Sequence, residues 1–352
     1  MKKIMFTGGG SAGHVTPNLA VIQELDQKEW AISYVGSYTG IERELVEKKN
    51  IPYFGISSGK LRRYVDWKNI TDVFRILNGF RQARSILRKQ KPDVVFSKGG
   101  FVTVPVVAAA STLKIPVHLH ESDLTPGLAN RLAKRFATSF YTSFEETAAH
   151  FPQDATTVVG SPIRKELLTG SRTQGLHFAE FTRERPVLLV MGGSLGARRI
   201  NEAVREALPR LSKTYQIIHI CGRGNVDREL EGKHGYQQYE YVYDELPDLL
   251  QSADLVVTRG GSNAIFEFLA LKIPMLIIPL SRHQSRGDQI LNAQAFEKKG
   301  YGRMLEEEEL TQETLLNEIS SLYQDRDLIT ETMASAQASQ AVPRIIERLE
   351  TL

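Results

Sequence analysis

The chain has 352 residues, 41% of them hydrophobic and 24% charged, enough apolar material for about two globular domains. The single cysteine, Cys221, excludes a disulfide framework or a multi-cysteine metal site, and no window approaches the ~18 uninterrupted apolar residues of a spanning helix. The net charge of +3 conceals an asymmetry: residues 1–160 carry 21 Lys and Arg against 14 Asp and Glu, residues 161–352 carry 23 against 27. The two halves therefore suit different partners.

The first ten residues resemble a signal peptide only superficially, because glycines end the short apolar run at once. A soluble or peripheral protein is expected. Residues 3–7 predict a strand, followed by the glycine loop Gly8–Gly13, His14, and a helix with Pro17 near its first turn, reaching about Leu25. Further strands are predicted at 31–36 and 53–56, with a helix at 40–49 between them. This alternation is the mark of a doubly wound parallel sheet.

Residues 60–91 differ. Ten basic residues, Lys60, Arg62, Arg63, Lys68, Arg75, Arg81, Arg84, Arg88, Lys89 and Lys91, stand against Asp66 and Asp72 alone. Val73, Ile76, Leu77, Phe80, Ala83 and Leu87 fall at helical spacing, with Phe74 beside them and Trp67 nearby. The stripe predicts a helix packed on the sheet. The helix end and preceding loop also suit an anionic membrane surface.

Two stretches echo each other. Residues 93–123 and 254–289 each give Asp, an apolar strand, a basic residue (Lys98, Arg259), Gly-Gly, a helix, Leu-Lys-Ile-Pro and another strand. Two similar β/α domains follow from this repeat. Residues 151–185 lose periodicity and suit a domain junction. The alternation resumes with strands at 186–191, 216–221 and 239–243 and a helix at 198–211. Cys221 ends an apolar strand and reads as a buried small hydrophobe. Glu306–Glu309 read as a solvated helix start, and about Val342 to Leu352 as a last helix.

The stretch 254–289 carries the sharpest chemical signal. A buried strand ends at Gly260-Gly261, Ser262 and Asn263 offer N-cap side chains, and a helix runs from about Ala264 to Leu271, with Met275 to Pro279 the next strand. Backbone N–H groups and the positive helix end make an anion site there. Glu267, in the first turns, can take the hydroxyls of a ribose. A nucleotide-diphosphate site fits this pattern, and so does an ordinary β-α-β unit.

Taken in order, GGGSAGHVTPNLA, KPDVVFSKGG, HESDLTPGLANRLAK, VVGSPIR, VLLVMGGSLGARRIN and RGGSNAIFE resemble the MurG glycosyltransferases of bacterial cell-wall synthesis over nearly the whole chain. The resemblance implies a GT-B fold, two Rossmann-like domains facing a cleft. Residues 1–162 would form the acceptor and membrane-facing domain and 163–352 the UDP-GlcNAc domain, its last helix returning to the first. It implies inverting transfer of GlcNAc from UDP-GlcNAc to the C4 hydroxyl of MurNAc-pentapeptide on undecaprenyl diphosphate, at the cytoplasmic face of the membrane. No cofactor is implied beyond the substrate. The sequence has no dedicated metal site, although a divalent cation is left open; Asp325 and Asp327 have acidic spacing only.

By the same resemblance His14 is the candidate base, since histidine titrates near ~6.5, with Glu121 the other candidate catalytic group and Asn130 on the acceptor side. Ser11, Ala12, Gly13, Asp123, Arg164, Ser194, Tyr243, Ser262, Asn263, Ala264, Glu267 and Gln289 are the implied UDP-GlcNAc contacts. Tyr243 would line the uracil pocket and Arg164 supply a cation. Three places depart from the family pattern: Ser11-Ala12-Gly13 where Thr-Gly-Gly is usual, Ser122-Asp123 for Gln-Asn, and Asp288 for the first of two glutamines. Alternatives are a related enzyme with another lipid or glycan acceptor, a UDP-GlcNAc epimerase of like fold, and a non-catalytic UDP-GlcNAc-binding copy. GGGSAG lacks the glycine spacing of a dinucleotide fingerprint.

Overall fold

The computed structural model describes residues 1–59, 68–193, 197–336 and 338–351, and only the backbone of 68–73 and 339. Lys60, Arg62, Arg63, Trp67 and Ser194 lie outside the described residues. The chain divides into two compact units, Met1–Arg164 with Ser339–Leu352, and Lys165–Ala338.

In unit 1 the strands are β1 (Lys2–Thr7), β2 (Trp30–Ser37), β3 (Tyr53–Ile56), β4 (Val94–Ser97), β5 (Val117–Glu121), β6 (Ser139–Thr142) and β7 (Thr156–Val158). Their order among the described residues is β3-β2-β1-β4-β5-β6-β7, all parallel. Side chains alternate across a strand, and β1 shows the result. Ile4 and Phe6 join a core layer with Val21, Ile22, Val342, Ile345 and Leu349, so the helix Ala341–Glu350 covers one face of this sheet. Met5 joins the opposite layer with Ala83, Leu87, Val106 and Val107.

Unit 2 contains β8 (Val187–Met191), β9 (Gln216–Ile220), β10 (Tyr236–Tyr239), β11 (Leu255–Thr258), β12 (Met275–Ile277) and β13 (Gly302–Met304), in the order β10-β9-β8-β11-β12-β13. It too is parallel. In both units the order reverses beside the first strand, at β1/β4 and β8/β11. Ligands of open α/β sheets bind outside the strand ends at such a reversal. The sequence repeat is structural: Asp93 accepts the Lys3 N–H at 2.7 Å and Asp254 the Val187 N–H at 2.8 Å, so each aspartate caps the start of its unit's first strand.

Four expectations need correction. The strand predicted at 239–243 is Tyr236–Tyr239, because Gly235 turns the chain at φ +75° and Tyr236 is buried, whereas Tyr241 and Tyr243 are exposed. The junction is not irregular throughout. Ser171 caps a helix at Arg172–Phe178, whose Gly175 lies so close to the Asp248 carbonyl that a Cβ would sit 2.1 Å from it. The acidic run is a short 3-10 turn in which Glu307 is buried against Arg259, not solvated. In the helix Lys68–Gln90, Ala83 and Leu87 are buried, but Phe74 and Leu77 are 67% and 53% exposed, so only the C-terminal half of the stripe reaches the core.

Candidate functional site

In unit 1 the loop after β1 passes through a single 3-10 turn, Ala12–His14, into the helix Thr16–Glu24, which carries Pro17 in its first turn. Ser11, Ala12, Gly13 and His14 all lie on this turn. The Ser11 hydroxyl stands 2.9 Å from His14 Nδ1. If Nδ1 carries the proton and donates to Ser11, Nε2 presents the lone pair a general base needs.

The loop is held from beneath by groups the sequence does not single out. Tyr34 donates to the Gly8 carbonyl at 2.8 Å, and Asn18 donates to the Thr7 carbonyl at 3.2 Å and to Tyr34 at 3.1 Å. Fully buried Glu42 accepts the Gly10 N–H at 3.1 Å and, through its other oxygen, the Ser37 N–H at 3.0 Å and the Ser37 hydroxyl at 2.5 Å. Gly9, Gly36 and Gly40 make room for it, since a Cβ at any of them would fall within 2.7 Å of a Glu42 side-chain atom. The Gly9 N–H donates to the Gly99 carbonyl at 3.3 Å. Gly100 has φ +92°, and a Cβ there would lie 2.1 Å from the Gly9 carbonyl oxygen. The turns after β1 and β4 are thus in contact at the reversal.

Glu121, at the end of β5, is buried. One oxygen accepts the N–H groups of Ser122 and Asp123 at 2.8 and 3.0 Å, the other Gly127 N–H at 3.1 Å and Asn130 Nδ2 at 2.8 Å. Four donors on one carboxylate make it the organiser of the β5 turn. Asn130 is buried beside it, bonded also to the His120 carbonyl at 3.2 Å. Burial pushes Glu121 above the usual carboxylate range, aided by Asp123, and holds His120 well below the ordinary histidine value. Arg164 is half-buried and is the last residue of unit 1 before the crossing.

In unit 2 the turn after β11 leads into the helix Ser262–Leu271. Its N-cap is Gly261, which has no side chain, so the expectation that Ser262 and Asn263 cap it is corrected: they are the first two helical residues. Ser262 is buried; Asn263, Ala264 and Glu267 are half-buried on the first turns. Gln289 joins them. A Cβ on Gly260 would meet the Gln289 carbonyl oxygen at 2.4 Å, Asn292 donates to the Gly260 carbonyl at 3.1 Å, and Gln289 Oε1 accepts the Leu280 N–H at 3.0 Å. The first turns of the helices that start at 262 and 288 therefore pack beside one glycine turn; the N–H groups at 262 suit an anion, whereas the helix at 288 begins with Asp288, paired with Arg286 at 2.9 Å.

Tyr243 stands apart in topology, on the stretch after edge strand β10. It is 72% exposed, with its ring centroid 4.5 Å from that of Tyr241. A groove of about 440 Å³ elsewhere on unit 2 is lined by Arg198, Arg205, Glu202 and Asp227, among others. It includes none of the residues of the Gly260–Gly261 turn, and its lining mixes arginines with carboxylates. Among the described residues no group of three or more His, Cys, Asp and Glu could hold a metal ion. Asp325 and Asp327 face Arg303 and Arg326, at 3.4 and 3.5 Å.

Two family models match the chain: the glycosyltransferase family 28 N-terminal domain over residues 4–142 and the family 28 C-terminal domain over 187–349. The chain is 75% identical over 350 residues to the UDP-N-acetylglucosamine--N-acetylmuramyl-(pentapeptide) pyrophosphoryl-undecaprenol N-acetylglucosamine transferase of Shouchella clausii, covering 99% of both. It is 54% identical over 349 residues to the Bacillus cereus transferase 2 of the same name, again covering 99% of both. The crystal structure of Acinetobacter baumannii MurG superposes with a TM-score of 0.78 at 26% identity, covering 100% of both chains.

Proposed function

The chain belongs to glycosyltransferase family 28, with the two parallel α/β units of the GT-B class, and from that premise we propose that it transfers GlcNAc from UDP-GlcNAc to the C4 hydroxyl of MurNAc-pentapeptide on undecaprenyl diphosphate. End-to-end identity to the Shouchella clausii enzyme carries this reading. The reaction is an inverting sugar transfer in peptidoglycan synthesis. It needs a base for the acceptor hydroxyl and stabilisation of the departing diphosphate.

Unit 2 receives the nucleotide. The diphosphate lies over Gly260-Gly261 and the N–H groups of Ser262, Asn263 and Ala264, Glu267 takes the ribose, Tyr243 stacks at the uracil, and Gln289 meets the sugar. The differing state of the glycine turns after β1 and β11 supports this. In the first, the Gly9 and Gly10 N–H groups are already bonded to Gly99 and Glu42. The second opens at a glycine N-cap. Unit 1 receives the acceptor, with His14 as the base, oriented by Ser11, and Arg164 as a cation for the leaving group. Glu121 and Asn130 shape the acceptor side by fixing the β5 turn, and Asp123 presents from that turn. Exposed Phe74 and Leu77, beside Arg75, support docking of unit 1 on the cytoplasmic face of an anionic membrane. Among the described residues no helix is long and apolar enough to cross one.

Radiolabelled UDP-GlcNAc with a lipid I analogue tests the whole. The expected result is a β-linked GlcNAc on the C4 hydroxyl of MurNAc. Folded protein that binds UDP yet makes no such product overturns it.

A further inference from the structure

The internal repeat places a basic residue between strand and glycine turn in each unit, and both are buried: Lys98 is 2% exposed and Arg259 is 8% exposed. Each reaches sideways to the end of the next strand. Arg259, after β11, donates to the Ile278 and Pro279 carbonyls just beyond β12, at 3.1 and 3.4 Å, and pairs with Glu307 at 2.5 Å. Lys98, after β4, donates through Nζ to the Ser122 hydroxyl just beyond β5. In unit 2 the basic residue is a clamp that fixes the neighbouring turn. The equivalent position in unit 1 clamps the Ser122–Asp123 turn.

We propose that Lys98 is a positioning residue for transfer, its ammonium holding the Ser122–Asp123 turn in the geometry that receives substrate at the mouth of unit 1. The carboxylates of Glu121 and Asp123 are two residues apart on this turn, and one is buried. Two such charges need a cation nearby, and Lys98, bonded to Ser122 between them, is placed to supply it. An aspartate at 123 is therefore tolerated because a lysine stands at 98. The role rests on the function proposed above, since substrate is what the turn receives.

The two clamps differ in one respect. An arginine stays protonated at any working pH. Burial brings Lys98 down to about 8, against the pull of Glu121 and Asp123. The titratable groups acting on it are these two carboxylates and His120, all on β5 and its turn, and His120 is held neutral. As pH rises through about 8 the ammonium loses its proton, the two carboxylates lose their counter-ion, and the turn loosens. Lys98 thus sets an alkaline limit on activity.

The test compares wild type, K98M, K98R, D123N and K98M/D123N in the lipid I analogue assay across pH, with UDP affinity by calorimetry. K98M should lower kcat by about tenfold or more, as when a charged hydrogen bond is lost, while UDP affinity, which unit 2 supplies, stays as in wild type. K98R should keep most of the activity and move the alkaline limb upward. K98M turning over within a few-fold of wild type, or K98R keeping the wild-type alkaline limb, overturns the proposal. Where K98M does not fold, the K98R profile decides. Thermal melting makes the result independent of the assigned reaction: D123N should recover much of the melting temperature that K98M loses. Additive losses in the double variant overturn the pairing even if wild type proves to transfer to another acceptor.

Discussion

The carboxylate of Glu42 accepts the N–H of Gly10 at 3.1 Å from a position with no solvent exposure, 32 residues away in sequence. This bond, with those to Ser37, makes the first glycine loop a rigid support for His14. Glu42→Ala leaves the Gly10 and Ser37 donors without their acceptor. It should cost about 1–3 kcal/mol in denaturant melts and lower turnover, with UDP affinity unchanged. A variant as stable and active as wild type would remove Glu42 from this role.

His14→Ala should reduce kcat by about 10²–10⁴, the range for a general base, and leave UDP affinity intact. Wild-type activity should fall toward acid pH as the imidazole takes up its proton. Ser11→Ala frees Nδ1 from its 2.9 Å partner and should give a smaller loss. Turnover by His14→Ala within a few-fold of wild type would send the search for the base to Asp123. Loss of UDP binding together with turnover would make His14 a structural residue.

Glu267→Ala should weaken UDP by roughly 1–3 kcal/mol, the loss of a charged hydrogen-bond partner, read by calorimetry on the folded protein. Added UDP should raise the melting temperature of wild type by mass action more than that of the variant. Equal affinities would sink the ribose assignment.

Phe74 and Leu77 lie exposed beside Arg75 on the helix Lys68–Gln90. Vesicles containing anionic lipid should bind the protein, and moderate salt should weaken the attachment. The double substitution Phe74→Ser, Leu77→Ser should reduce binding at fixed salt. Equal binding to neutral and anionic vesicles at low salt would count against this surface.

Three buried histidines, His118, His120 and His219, should govern acid stability, each held below the ordinary histidine value by burial. His118 Nδ1 meets the Tyr141 hydroxyl at 2.9 Å, and His219 Nδ1 the Tyr236 hydroxyl at 2.8 Å. His219 Nε2 donates to Asn201 Oδ1 at 2.9 Å, an orientation Asn201 keeps by donating to the Cys221 carbonyl, so in the neutral ring Nδ1 accepts from Tyr236. Burial lowers His118 to about 4 and His219 to about 3 from an ordinary value of 6.5. Below 6.5 the unfolded chain takes up protons that the folded chain refuses, so stability rises with pH through this window. It should be complete above 6.5 and fall as pH drops toward 4, by about 1.4 kcal/mol per pH unit for each histidine. His118→Gln should flatten the melting profile between pH 4 and 6.5; a profile parallel to wild type would refute the assignment.

By itself the sequence determined the β/α alternation, the two glycine turns, the repeat of Asp, strand, basic residue and Gly-Gly, and through its motifs the family. These are local patterns: a strand buried on both faces needs an apolar run, and a turn before a helix needs glycine, whatever surrounds them. Tertiary structure decided which polar groups are buried. Glu42, Glu44 and Glu47 share one short helix and read alike, yet Glu42 alone is fully buried while Glu44 and Glu47 make i,i+4 pairs with Lys48 and Arg43 in solvent. The reason Glu42 differs is three glycines from two other segments that leave room for it. Glu307 looked like one of a solvated run until Arg259, 48 residues earlier, was placed against it. Lys98 meets Ser122 across 24 residues. A buried charge is stable only where a partner waits for it. That partner is chosen by strand order, which no local spacing of residues encodes.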